Sequence, residues 1–237
     1  MRRIDLNADL GEGGTEDEAL LGLVTSANIA CGGHAGDKET MWRSINLALA
    51  SGVAIGAHPG YEDPEHFGRR AMTLPLEQIT DLVHRQVESL ATLATAAGTR
   101  LHHVKPHGAL YNQAARDPAL AAAVVEGIAR VSPELALYAL PDSALAEAGR
   151  AAGLTVRAEG FADRRYRDDG SLMPRGEPGA VIKDVDAAVA QALEIAGKGT
   201  VDTLCVHGDG VTAVAILREL RGKLAGAGLT FRNSPGD

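Results

Sequence analysis

An α/β fold with a parallel sheet closed into a (β/α) barrel is what this sequence predicts, on three observations. Short apolar runs alternate with Ala-rich helical stretches along the chain. Seven such units share 237 residues, about 34 each, which is the length of a βαβ unit. Polar, chemistry-bearing residues follow the apolar runs repeatedly, and a parallel barrel gathers the C-terminal ends of its strands at one mouth. An open doubly wound sheet fits less well. Its first βα turn would be DLGEGG, where Glu16 stands in place of the third glycine of a dinucleotide-binding turn. No Pro/Ser-rich linker splits the units, so a single domain over residues 1–237 is expected.

The strands are expected at residues 4–9, 27–31, 53–58, 101–105, 135–140, 154–159 and 203–207. Thr15 and Glu18 have capping-box spacing for a short helix reaching about Leu23. Asp37 caps a helix closed by Gly52, and Pro75 starts a long one that Gly98 ends. Asp117-Pro118 begins the next helix, and Asp142 or Ser143 caps another that ends at Gly153. Asp184 begins a further helix, and the last runs from about Val211 to Leu224.

Composition narrows the function. Hydrophobic residues make up 45% and charged residues 23%, values of a folded globular chain. Aromatics are only 3% and there are 28 glycines, which implies a core of small aliphatic side chains and many tight loops. The net charge of −8 argues against nucleic-acid and anionic-membrane surfaces. Neither a signal-peptide-like start nor an uncharged run of membrane-spanning length is present, so a cytoplasmic protein is expected. Cys31 and Cys205 lack zinc-ribbon spacing and read as reduced, buried thiols.

Asp5, Asn7 and Asp9 share one strand parity and should line the barrel interior, with Asp9 nearest the mouth. Asn28 and His34 flank a Cys-Gly-Gly turn and His58 precedes a Pro-Gly turn. Asp9, His34 and His58 therefore form a candidate trio for zinc or another divalent ion. His66, His84 and His102 have no comparable support and read as surface residues. In HHVKPHGALYN, His103, Lys105 and His107 share a wall, with Tyr111 and Asn112 beyond. Lys105 either holds an anionic substrate, acts in acid/base or Schiff-base chemistry with a pKa lowered by burial, or pairs structurally with Asp9 or Glu159. Arg69, Arg70, Arg164 and Arg165 suit bidentate recognition of a carboxylate or phosphate, against solvated salt bridges, and His207 and Asp209 complete the rim. A phosphate-binding loop is absent: the nearest piece, Gly197-Lys198-Gly199-Thr200, has Ala192 where its first glycine belongs, so any ATP is expected on another chain.

DLNADLGEG, SANIACGGHAGD, GVAIGAHPG, FGRRAM, HVKPHGALYN, FADRRY, GSLMPRG and CVHGDG occur in this order over about residues 2–230, and in them the chain resembles the LamB/YcsF family. The resemblance implies an irregular seven-stranded barrel of the glycoside hydrolase/deacetylase kind. It also implies opening of 5-oxoproline to L-glutamate, with ATP cleaved by a complex that includes 5-oxoprolinase subunits B and C. Superfamily deacetylases commonly hold a metal with an Asp and two His, similar in placement to Asp9, His34 and His58. One departure is the short link KGTVDTL before CVHGDG, where some relatives carry an insertion.

Under that implication a partner activates the lactam by phosphorylation and this chain hydrolyses it. Asp9 or Glu159 then serves as general base and His107 or His207 as general acid, with Asp209 beside them. Lys105 and an arginine hold negative charge, and Asn7, Asn28, Arg69, Tyr111, Asn112 and Arg164 contact substrate. The alternatives are a stand-alone metal-dependent amide deacetylase and a non-catalytic subunit that binds 5-oxoproline.

Overall fold

The computed structural model describes residues 3–231. Eight parallel strands form: β1 (Arg3–Leu10), β2 (Ser26–Ala30), β3 (Ala54–His58), β4 (His103–Val104), β5 (Ala136–Ala139), β6 (Val156–Phe161), β7 (Thr203–Cys205) and β8 (Thr230–Phe231). Their order is β2-β3-β4-β5-β6-β7-β1-β8, and an added β1–β2 pairing closes the first seven into a barrel. The expected seven-stranded parallel barrel is therefore what forms. β8 was not foreseen, because two residues carry no periodicity. It pairs with Arg3 and Ile4, at the start of β1, ahead of the residues from Asp5 onward that pair with β7.

Helices α1 (Asp17–Leu21), α2 (Lys38–Ala50), α3 (Leu76–Ala96), α4 (Gly108–Ala114), α5 (Pro118–Ala129), α6 (Ala144–Ala151), α7 (Val185–Lys198) and α8 (Ala213–Gly226) are interleaved with the strands. Asp37, Asp117, Ser143 and Asp184 each accept a backbone N–H of the first turn, as N-caps should. At the alternative Asp142/Ser143 start, Ser143 is the cap and Asp142 takes a left-handed φ of 55°.

Two expectations fail locally. Thr15 and Glu18 form no capping box: Glu16 is the cap residue and makes no side-chain bond. The Asp17 carboxylate instead accepts the Gly11 N–H at 3.0 Å, drawing the chain back toward the end of β1. The expected strand at 101–105 pairs only through His103 and Val104, and the chain then turns into α4, a helix not among those expected from the sequence.

Alternation along β1 decides where each kind of side chain goes. Ile4, Leu6, Ala8 and Leu10 are buried in the apolar core that the helices cover. Asp5, Asn7 and Asp9 take the other parity and bond to side chains from strands across the barrel, so the lumen is polar. At its base the Asp5 carboxylate accepts hydroxyl protons from Thr25, Ser26, Tyr138 and Thr203 at 2.6 to 3.1 Å. Gly56 on β3 leaves the room that His103 fills, since a side-chain carbon there would collide with the imidazole. The β6–α7 connection makes antiparallel bridges, Arg164 with Val181 and Tyr166 with Leu172, and carries residues 172–176 to the mouth. No helix among the described residues is long and apolar enough to cross a membrane.

Candidate active site

Above the polar lumen the strand ends open into a cavity of about 820 Å³. Its floor is Asp9, Lys105 and His58, its sides His107, Tyr111, Asn112 and His207, and its rim Arg69 and Arg164. Stretches almost two hundred residues apart in the chain thus meet at one mouth, as the barrel requires.

Lys105 is the central cation. Its side chain is 3% exposed, and Nζ lies 3.0 Å from Asp9 Oδ1, 3.2 Å from Glu159 Oε1 and 2.9 Å from Cys205 Sγ. Burial alone would lower its pKa, but the Asp9 and Glu159 carboxylates, with the Cys205 sulfur accepting from Nζ, outweigh burial and hold the ammonium well above its ordinary value. The reading of a neutral, nucleophilic lysine is thereby overturned: two carboxylates flank it. Asp9 is the converse. Burial would raise its carboxyl, yet His58 and Lys105 hold it well below the usual range.

Asn7, Asn28 and Glu159 do not reach the cavity wall; they form the layer beneath it. Asn7 accepts from Asn28 and Lys105 and donates to Glu159 and Thr203. Asn28 also donates to Asp9 at 2.9 Å and accepts from His103, whose ring stacks on Tyr138. Glu159 is wholly buried, and its second oxygen accepts the Tyr111 hydroxyl at 2.9 Å. These residues orient Asp9 and Lys105. Cys31 and Cys205 are free and buried. Burial pushes the Cys31 thiol to about 12 and the Cys205 thiol well above its ordinary value, so both stay protonated.

His207 donates Nδ1–H to Asp163 at 2.9 Å, which leaves Nε2 as the lone-pair nitrogen of a ring lining the cavity. Asp209 lies at the outer rim, tied to Arg69 at 2.6 Å and to Arg175 at 2.7 Å. Of the histidines read as surface residues, His66 bonds Asp63 and lines the cavity rim. His84 and His102 are half-buried outside it.

The imidazoles regroup the expected metal trio. Glu12, His34, His58 and His107 bring one donor atom each within 4.8 Å of one another, whereas Asp9 groups with Cys205 and His207. His58 Nδ1 lies 2.6 Å from the Lys105 carbonyl and His107 Nε2 lies 2.8 Å from that of Phe67. Carbonyls only accept, so both of those nitrogens carry hydrogen. The remaining nitrogens, His58 Nε2 and His107 Nδ1, then face each other at 2.9 Å with lone pairs that only a proton or a cation reconciles. Asp9 raises the His58 pKa against the effect of burial, while burial and the neighbouring His34 and His58 keep His107 well below its ordinary value. Three imidazole nitrogens, two of them on rings anchored by carbonyls, and one carboxylate suit zinc.

Sequence reasoning missed Glu12, Asp163 as the partner of His207, and Arg175. The one available signal for Glu12 was its place between two glycines, Gly11 and Gly13, whose φ values of 72° and 87° turn the chain around it.

In architecture the parallel (β/α) barrel is deacetylase-like. Similar folds include T48 deacetylase with substrate (17% identity, TM-score 0.55, covering 98% of this chain and 88% of that one). Another is the catalytic domain of peptidoglycan N-acetylglucosamine deacetylase from Eubacterium rectale (13% identity, TM-score 0.57, covering 97% and 87%). The chain belongs to the LamB/YcsF family, whose model matches residues 4–236. It is 51% identical to the 5-oxoprolinase A subunit of Methylococcus capsulatus over 96% of this chain and 94% of that protein. It is 49% identical to the same-named protein of Erwinia tasmaniensis over 98% and 100%. The solved lactam utilization protein of Thermus thermophilus matches with TM-score 0.90 at 39% identity, covering 98% of this chain and 99% of that one.

Proposed function

We propose that this chain is the A subunit of an ATP-dependent 5-oxoprolinase and performs the hydrolytic half of ring opening. The observation that carries the reading is the Lys105 ammonium held beside Asp9 at the floor of the mouth, in a chain whose half-identical relatives are named for that activity. An unstrained lactam is a resonance-stabilised amide, so its hydrolysis near neutral pH needs activation as well as a lowered barrier. Without a phosphate-binding loop here, activation is the work of subunits B and C, which bind ATP and transfer its γ-phosphoryl group to the lactam oxygen as the ring nitrogen loses its proton. ATP use assigns the complex to the cytoplasm.

On the activated ring, water adds to the carbon that bears the phosphorylated oxygen. His207 Nε2, oriented by Asp163, takes its proton, and Lys105 faces the charge that develops. The carbon–nitrogen bond then breaks, the nitrogen gains both hydrogens of that water, and γ-glutamyl phosphate remains. A second water releases phosphate and L-glutamate. Asp9 stays ionised and holds Lys105 and His58, while Tyr111 and Asn112 shape the walls.

A divalent ion on Glu12, His34, His58 and His107 would supply Lewis-acid polarisation and a bound water of lowered pKa. Zinc titration of the chelator-treated chain, followed by metal analysis, is expected to show a single ion per chain. His107→Gln should weaken its affinity by roughly 100-fold, at least the cost of losing an outer-shell partner. Unchanged zinc content in that variant would remove the ion from the site.

The reading is tested by glutamate release from 5-oxoproline with ATP, comparing this chain alone, the partner subunits alone and the mixture. Release is expected only from the mixture. Glutamate from this chain without ATP would overturn the reading in favour of a stand-alone metal-dependent amidase, which the imidazole cluster also suits.

A further inference from the structure

We infer that Arg69, Arg164 and Arg175 form a phosphoryl-binding subsite at the cavity mouth, which receives the substrate in its phosphorylated form. The inference rests on the ATP-dependent reading above. All three guanidinium groups line the same cavity, yet they share one partnered carboxylate. Asp209 is bonded by Arg69 at 2.6 Å and by Arg175 at 2.7 and 2.8 Å. The other nearby acid, Asp163, is committed to the ring and backbone N–H of His207.

Arg164 is the sharpest feature. It is 4% exposed and has no ion-pair partner among the described residues. One guanidinium nitrogen donates to the Met173 carbonyl at 2.5 Å, while Nε is buried with no partner. Burial and the charge of Arg175 pull its pKa below the ordinary value against the opposing effect of Asp163. An unpaired buried cation is costly, and its cost is removed when an anion arrives.

The donor set selects the anion. Asp209 and Asp163 both lie among these cations and both are already bonded, which leaves donors of Arg164 to be met. The carboxylate of 5-oxoproline offers them two oxygens. A phosphoryl group brings about −1.5 to −2 near neutral pH and three acceptor oxygens, which match forked guanidinium donors. Lys105 is already occupied by Asp9 and Glu159 at the floor, so reaction centre and phosphate are read by separate cations of the same cavity.

Two measurements test this. In calorimetric titration of the whole chain, inorganic phosphate is expected to bind, with affinity falling roughly 10- to 100-fold in Arg164→Met and in Arg175→Met, the worth of a charged hydrogen bond. Arg175→Met serves if the buried replacement fails to fold. Acetate at the same concentration should not displace phosphate; if it does, the subsite is a carboxylate site and the inference falls. In the reconstituted complex, Arg175→Met is expected to leave ADP release running while glutamate release drops about as far as affinity. Loss of phosphate binding with coupling intact would mean that the site holds only free phosphate, and would overturn the handover. Phosphate binding that depends on these arginines, together with no ATP-driven glutamate release by the wild-type mixture, would sink the functional reading and leave the anion site standing.

Discussion

Replacing Lys105 with Met is expected to cost the reconstituted complex roughly 10²- to 10³-fold in turnover, the penalty for deleting one preorganised charge at a reacting centre. The folded chain should also lose about 3–5 kcal/mol, because the change strands two buried carboxylates. Asp9 is 3% exposed at its side chain and Glu159 is 0%. Denaturant melts and glutamate release check the two effects separately. The double variant Lys105→Met/Asp9→Asn should recover part of the stability and none of the turnover, which separates the structural duty of the pair from its chemical one. An unchanged denaturation midpoint in the single variant would mean that the pair is solvated, and the description of the floor would be wrong.

A second large effect is expected far from the chemistry. Asp5→Ala removes the acceptor of four hydroxyl bonds contributed by Thr25, Ser26, Tyr138 and Thr203, from three different walls of the barrel. Each buried hydroxyl left unpaired costs about 1–3 kcal/mol before the structure relaxes. A total of about 4 kcal/mol is a moderate expectation, and at 2–4 °C per kcal/mol for a chain of this size the melting point should fall by about 10 °C. Catalysis at low temperature should persist in the folded fraction, since Asp5 does not line the cavity. A melting point within about a degree of wild type would show that the hydroxyls find other partners.

Much of this architecture is readable from the chain because barrel strands announce themselves locally. The runs at 27–31 and 53–58 became β2 and β3 almost residue for residue, and the parity of Asp5, Asn7 and Asp9 placed all three inside. Caps such as Asp37, Asp117 and Asp184 are equally local, since each acts on the N–H groups a turn away. What escaped is non-local. The state of Lys105 depends on acids from β1 and β6, and burial considered alone points the wrong way. Asn7, placed inside by parity, and Asn28, placed by its Cys-Gly-Gly turn, are both assigned to substrate on sequence alone, and only cross-barrel pairing turns them into supports for Asp9 and Lys105. Asp163 meets His207 and Arg175 meets Asp209 across 44 and 34 residues, so no window on the chain connects them.

The polar lumen also dictates an order of assembly. Asp5 near the amino end waits for Thr203, 198 positions later, before its shell of hydroxyls is complete, and Asn7 waits 196 for the same partner. Contacts of such separation slow folding. Closing the barrel and completing the hydroxyl shell of Asp5 are one and the same step, since both need β7 beside β1.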